Sequence, residues 1–111
     1  MGLEVWVVSS NIALWNYMDE PEDFTYKYIG HIGEYFNIER SKIEDKDIKQ
    51  FFYIDKREIT IFGYEQVKCL EREVEILERK KLFKKEALEV IKNGIVFVLM
   101  NKALYLKFEY D

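Results

Sequence analysis

The sequence predicts an α+β domain: a single-layer, mostly antiparallel sheet with helices packed on it, ending in a C-terminal β-hairpin. Three observations carry this expectation. Runs rich in β-branched and aromatic residues stand near both ends of the chain, from Leu3 to Val8 and from Ala103 to Tyr110. Between them Val67, Leu70, Val74 and Leu77 recur at spacings of three and four, the pattern of an amphipathic helix. The 111 residues contain no internal repeat and no domain-boundary linker, so 1–111 reads as one domain; two cores would leave each half too small. Apolar residues make up 49% and charged residues 34%, which supplies a core and excludes the disordered class.

Taken in order, residues 3–8 read as a strand, and Ser9, Ser10 and Asn11 punctuate it. Residues 12–18 read equally as a second strand or a short helical turn, because so short a run cannot establish a period. Pro21 suits a first helical turn, and Asp19, Glu20, Glu22 and Asp23 complement the positive end of a helix dipole. Phe24, Tyr28, Ile32, Tyr35 and Phe36 then recur at helical spacing and predict a helix over 21–36. Gly30 and Gly33 interrupt it, at about 1 kcal/mol each relative to alanine. Their shared face predicts close approach of another backbone. A G-x-x-G clamp on nucleic acid is the sharper alternative, but it needs basic flanks and this stretch is acidic.

Ser41 and Glu44 match a capping box and predict a short helix through Gln50. Residues 51–55 and 58–62 read as two strands around Lys56 and Arg57, although neither residue favours the positive φ of a primed turn. The alternative is one longer helix over 43–53, leaving only 58–62 as strand. After Gly63 a helix over 64–79 places Glu71, Arg72, Glu75, Glu78 and Arg79 outward. It is too short for a coiled coil, so it should pack on the domain's own sheet. Residues 80–85 form a basic linker or kink, and Ala87, Leu88, Val90 and Ile91 predict a helix ending at Asn93 and Gly94. The unbroken apolar run 95–100 predicts a central strand. Beyond Asn101 and Lys102, Leu104, Leu106 and Phe108 alternate with Tyr105, Lys107 and Glu109, completing the hairpin.

The net charge of −4 and the pI near 5.1 argue against a general binder of phosphate backbones, so no direct nucleic-acid contact is expected. Residues 1–40 carry seven acids against Lys27 and Arg40, and the remainder is nearly neutral. One cysteine, Cys69, forms no internal disulfide and fits a reducing compartment. The opening residues lack a basic leader region and no apolar run approaches the roughly 20 residues of a membrane span. A cytoplasmic location with no membrane partner follows as the expectation.

Catalytic material is scarce. One histidine, His31, and one cysteine fall short of a zinc site, and serine is confined to Ser9, Ser10 and Ser41 with no nucleophile elbow or P-loop. A Cys69–His31 nucleophilic pair would require the two to meet in space. A small buried thiol on a helix face is the simpler reading. The expectation is a non-enzyme without catalytic, cofactor-binding or metal-ligating residues.

Eight of the 18 aromatic residues lie in 1–40. Trp15, Tyr17 and Tyr26 stand beside Asp19, Glu20, Glu22 and Asp23, and this set is the candidate partner-binding surface. Aromatics would anchor in pockets while the acids steer a basic partner. The alternative is that the acids cap a helix and the aromatics fill the core. In size, composition and the acidic aromatic segment from Trp15 to Glu20, the chain resembles the bacterial immunity proteins of contact-dependent growth inhibition and other polymorphic toxin systems. That resemblance implies an inhibitor that binds a cognate toxin, often a basic nuclease, without chemistry. The chain is expected to be a monomer or weak homodimer. It transfers no residue roles by position. A structural or regulatory subunit, dimerising through a sheet edge or helix 64–79, is the alternative.

Overall fold

Alternation along the first strand sets the architecture. In the computed structural model, which describes residues 2–9, 25–33 and 43–110, Leu3, Val5 and Val7 of β1 (Leu3–Val8) are fully buried while Glu4 and Trp6 on the opposite side are half-buried. There follow β2 (Thr25–Ile32), a 3-10 turn (Asp45–Ile48), α1 (Lys49–Lys56), β3 (Ile59–Phe62), α2 (Tyr64–Lys80), α3 (Lys85–Met100) and β4 (Tyr105–Tyr110). The strands form one sheet in the order β2-β1-β4-β3, and every pairing is antiparallel. The predicted α+β class, an antiparallel sheet with helices packed on it, is the observed one, and the chain's last element is the strand β4.

Helices take the face bearing Val5, Val7, Leu106, Phe108 and Phe62. The apolar stripe of α2, Val67, Leu70, Val74 and Leu77, is buried in that core, as its spacing predicts. The helix starts after Gly63, whose N–H donates to Gln66 Oε1 at 3.1 Å. It ends at Lys81, which adopts the left-handed conformation with φ 53° while Leu82 N donates back to Leu77 O at 3.1 Å. The basic segment is therefore the corner between α2 and α3.

Several expectations are corrected. Residues 25–32 form a strand, not part of a helix over 21–36. In sequence the four-residue spacing of Phe24, Tyr28 and Ile32 also fits a period of two, and within β2 an irregularity in the pairing with β1 between Gly30 and Tyr28 puts Ile32 beside Leu3 in the core and Tyr28 beside Trp6 on the other face. The glycines that weaken a helix are tolerated here: a Cβ on Gly30 would meet Val90 of α3 at 3.0 Å, so a side chain and not a backbone approaches it. Because Gly30 and His31 sit within β2, there is no G-x-x-G loop. The remainder of the predicted helix, and residues 12–18, lie outside the described residues.

Residues 95–100 are helical, so β4 has no hairpin partner there, and the helix predicted to stop at Gly94 runs on to Met100. Ala87, Leu88, Ile91, Gly94, Ile95 and Val98 are buried at intervals of three and four along the whole of α3. An apolar run of six cannot distinguish strand from helix; the continuous stripe and the sheet beneath decide it. Both sides of β4 are already taken by β1 and β3. Gly94 lets α3 sit close, since a Cβ there would lie 2.5 Å from Leu106 Cδ1.

Residues 51–55 belong to α1, not to a hairpin, with Phe51 and Ile54 turned inward; the alternative of a helix followed by strand 58–62 is nearer the structure. The helix predicted from Ser41 is also displaced. Ile43 and Glu44 are not helical, and helical structure begins with the 3-10 turn at Asp45.

Candidate functional site

Cross-strand register assembles the second face of the sheet in rows. His31, Glu4, Glu109 and Ile59 form one row across β2, β1, β4 and β3, and Tyr28, Trp6, Lys107 and Ile61 form the next. The rows bring together residues far apart in sequence. The Trp6 and Tyr28 rings meet with centroids 4.7 Å apart and planes tilted by 60°. His31 Nε2 lies 3.8 Å from Glu4 Oε1, and Lys107 Nζ lies 3.1 Å from Glu109 Oε2.

Exposure is uneven over this face. Lys107 is 2% exposed, its ammonium held beside the Glu109 carboxylate as a buried cation requires. At the two edges Tyr28 and Ile59 keep 44% and 47% of their surface in contact with solvent. Glu4 and Glu109 are partly exposed between them. Aromatic rings, an edge isoleucine and two carboxylates on adjacent strands thus lie on one face of the sheet, around the buried Lys107.

No family model, no curated protein and no solved structure matches this chain.

Of the residues expected to bind a partner, Trp15, Tyr17, Asp19, Glu20, Glu22 and Asp23 lie outside the described residues. Tyr26 lies within β2, the strand that contributes Tyr28 and His31 to this face. The sequence reading passed over Glu4, Trp6, Tyr28 and Glu109 as a set, because only strand register juxtaposes them. His31 sits on β2 beside Glu4, while Cys69 is a half-buried free thiol on α2.

Two further features stand apart from the sheet. A cleft of about 740 Å³ lies between the end of β2 and the α2–α3 corner, lined among others by His31, Ile32, Lys81, Leu82, Phe83 and Val90. Behind it Phe83 packs edge-on against Phe51 of α1, with centroids 6.3 Å apart. The second feature is Glu73, a buried carboxylate on α2. Gln50 N donates to its Oε1 and Oε2 at 2.9 and 3.1 Å, and Phe51 N donates to Oε1 at 3.1 Å. Burial pushes this carboxyl up to about 7, against the pull of those two backbone donors. Its position between Leu70 and Leu77 in the helical stripe is the sequence signal that marks it as inward. Among the described residues no cluster of three or more histidine, cysteine, aspartate or glutamate side chains could hold a metal ion. No helix among them is long and apolar enough to cross a membrane.

Proposed function

We propose that the protein is a cytoplasmic, non-enzymatic inhibitor that binds a basic, nuclease-type toxin domain, as bacterial immunity proteins do. The observation that carries this reading is the second face of the sheet, where the Trp6–Tyr28 pair adjoins the Glu4 and Glu109 carboxylates. Aromatic side chains supply contact area at low entropic cost, and carboxylates complement a nuclease surface built to hold phosphates. Residues 1–40 hold seven acids against two bases, an excess that suits the steering of a basic partner.

Dimerisation through helix 64–79 is the weaker alternative, because Val67, Leu70, Val74 and Leu77 are already consumed by the core. The test is stopped-flow association with the product of the reading frame immediately upstream of this chain. Charge reversal at Glu4, Glu20, Glu22 and Asp23 should slow association and flatten its dependence on salt. Rates that are unchanged by reversal and independent of salt would refute the steering role.

A further inference from the structure

Helix α3 turns one apolar edge to solvent. Val96 and Met100, one turn apart near its end, are 53% and 81% exposed, whereas the other apolar residues of the helix are buried or half-buried. Asn93 and Glu89 continue this exposed stripe at spacings of three and four. A groove lies on either side of it. Toward α2, a groove of about 260 Å³ is lined by Val74, Ile95 and Val96 together with Glu71, Glu75 and Glu78. Lys92 is engaged by Glu78, while the exposed Glu71 and Glu75 form no ion pair among the described residues. Toward β2, a groove of about 310 Å³ is lined by Ile29, Asn93, Phe97 and again Val96, and the exposed Lys27 holds its ammonium 4.8 Å from the Phe97 ring centroid.

We propose that this stripe pairs two copies of the chain, α3 against α3, about a two-fold axis parallel to the helices. Such an axis lays the α2 side of one copy over the β2 side of the other. Both grooves adjoin Val96, so Glu71 and Glu75 of one copy arrive at the height of Lys27 of the second. An antiparallel pair would instead set carboxylates against carboxylates and lysine against lysine. The parallel axis also places each stripe residue beside its own equivalent. Val96 and Met100 are then covered, and the Asn93 amide, which both donates and accepts, pairs with itself. Glu89, at the far end, stays beside Lys92 at 3.7 Å. A basic partner protein would suit the acidic groove alone; a second copy fits both grooves and the ridge between them. The pairing uses neither the α2 stripe buried in the core nor the second face of the sheet, so it is independent of the proposed toxin binding.

Sedimentation equilibrium of the intact chain over a dilution series tests the pairing. A reversible monomer–dimer equilibrium is expected, and a monomer at every concentration up to about 1 mM overturns the proposal. Met100→Glu should raise the dimer Kd roughly tenfold or more. Lys27→Glu should weaken the dimer, as should Glu71→Lys with Glu75→Lys, and the three changes together should restore most of the lost affinity. An unchanged Kd in Met100→Glu, or charge reversals that accumulate without restoration, overturns it. Single cysteines in a Cys69→Ala background read the register: Asn93→Cys and Met100→Cys should each oxidise in air to a disulfide-linked dimer. Linkage at one position only, or at neither, overturns the parallel axis. The positions changed for the affinity measurements are all exposed; should one of those variants fail to fold, the cysteine pairs decide.

Discussion

Trp6 and Tyr28 meet across the β1–β2 pairing, ring centroids 4.7 Å apart, on the face of the sheet opposite the helical core. Trp6 is half-buried and Tyr28 is 44% exposed, so the pair supports the edge strand and also presents aromatic surface. Tyr28→Ala should lower stability by about 1 kcal/mol, the scale of one cross-strand aromatic pair. Its effect on toxin binding should be larger, at least tenfold in Kd, as for an anchor residue. Calorimetric titration beside urea denaturation separates the two, and equal losses in both would remove Tyr28 from the interface.

Glu73 makes stability depend on pH with a definite sign. Its carboxyl is raised to about 7 in the folded protein from 4.5 in the unfolded chain, so the folded state binds the extra proton between those values. The contribution is full below about pH 4.5 and is lost as the pH rises through 7. Glu73→Gln should therefore flatten the decline of the urea midpoint between pH 5 and pH 8. Glu73→Ala should instead cost about 2–4 kcal/mol, since it strips the acceptor from two buried N–H groups.

The close seating of α3 rests on Gly94, where a Cβ would stand 2.5 Å from Leu106 Cδ1 and 3.6 Å from Val5 Cγ1. Gly94→Leu should destabilise by about 1–3 kcal/mol through overpacking, despite the better helix propensity of leucine. Chemical denaturation measures this, and an unchanged midpoint would mean that α3 does not lie on Leu106.

Lys81 closes α2 with φ 53°, a conformation that glycine adopts without penalty. Lys81→Gly should raise stability by about 0.5–1 kcal/mol, the strain relieved exceeding the added freedom of the unfolded chain. A lowered thermal midpoint would show that the lysine side chain contributes more at this corner than its backbone costs.

The sequence was most informative where one period was sustained over many residues. The stripe from Val67 to Leu77 located α2, and alternation through Leu104, Leu106 and Phe108 located β4. It misled where two periods coincide. Phe24, Tyr28 and Ile32 satisfy both a helix and a strand, and residues 95–100 satisfy either a buried strand or the end of a buried helix. Neither ambiguity is local: β2 forms because β1 offers it an edge, and α3 continues because β4 is flanked on both sides. The candidate surface was legible only in kind. Acidic and aromatic residues were concentrated before residue 40, but placing Glu4 beside Glu109 and Trp6 beside Lys107 requires the antiparallel register of β1 with β4. The burial of Lys107 is likewise not legible in the sequence, because alternation assigns it a face and says nothing of what covers that face.

The central claim, toxin neutralisation by the second face of the sheet, is tested most directly by growth rescue. Cells expressing the product of the reading frame immediately upstream of this chain should survive when the chain is co-expressed, and should die when it carries Trp6→Ala, Tyr28→Ala and Glu4→Lys while remaining folded by circular dichroism. Survival with the triple variant, no protection by the wild-type chain, or an upstream reading frame without a toxic product would contradict the account.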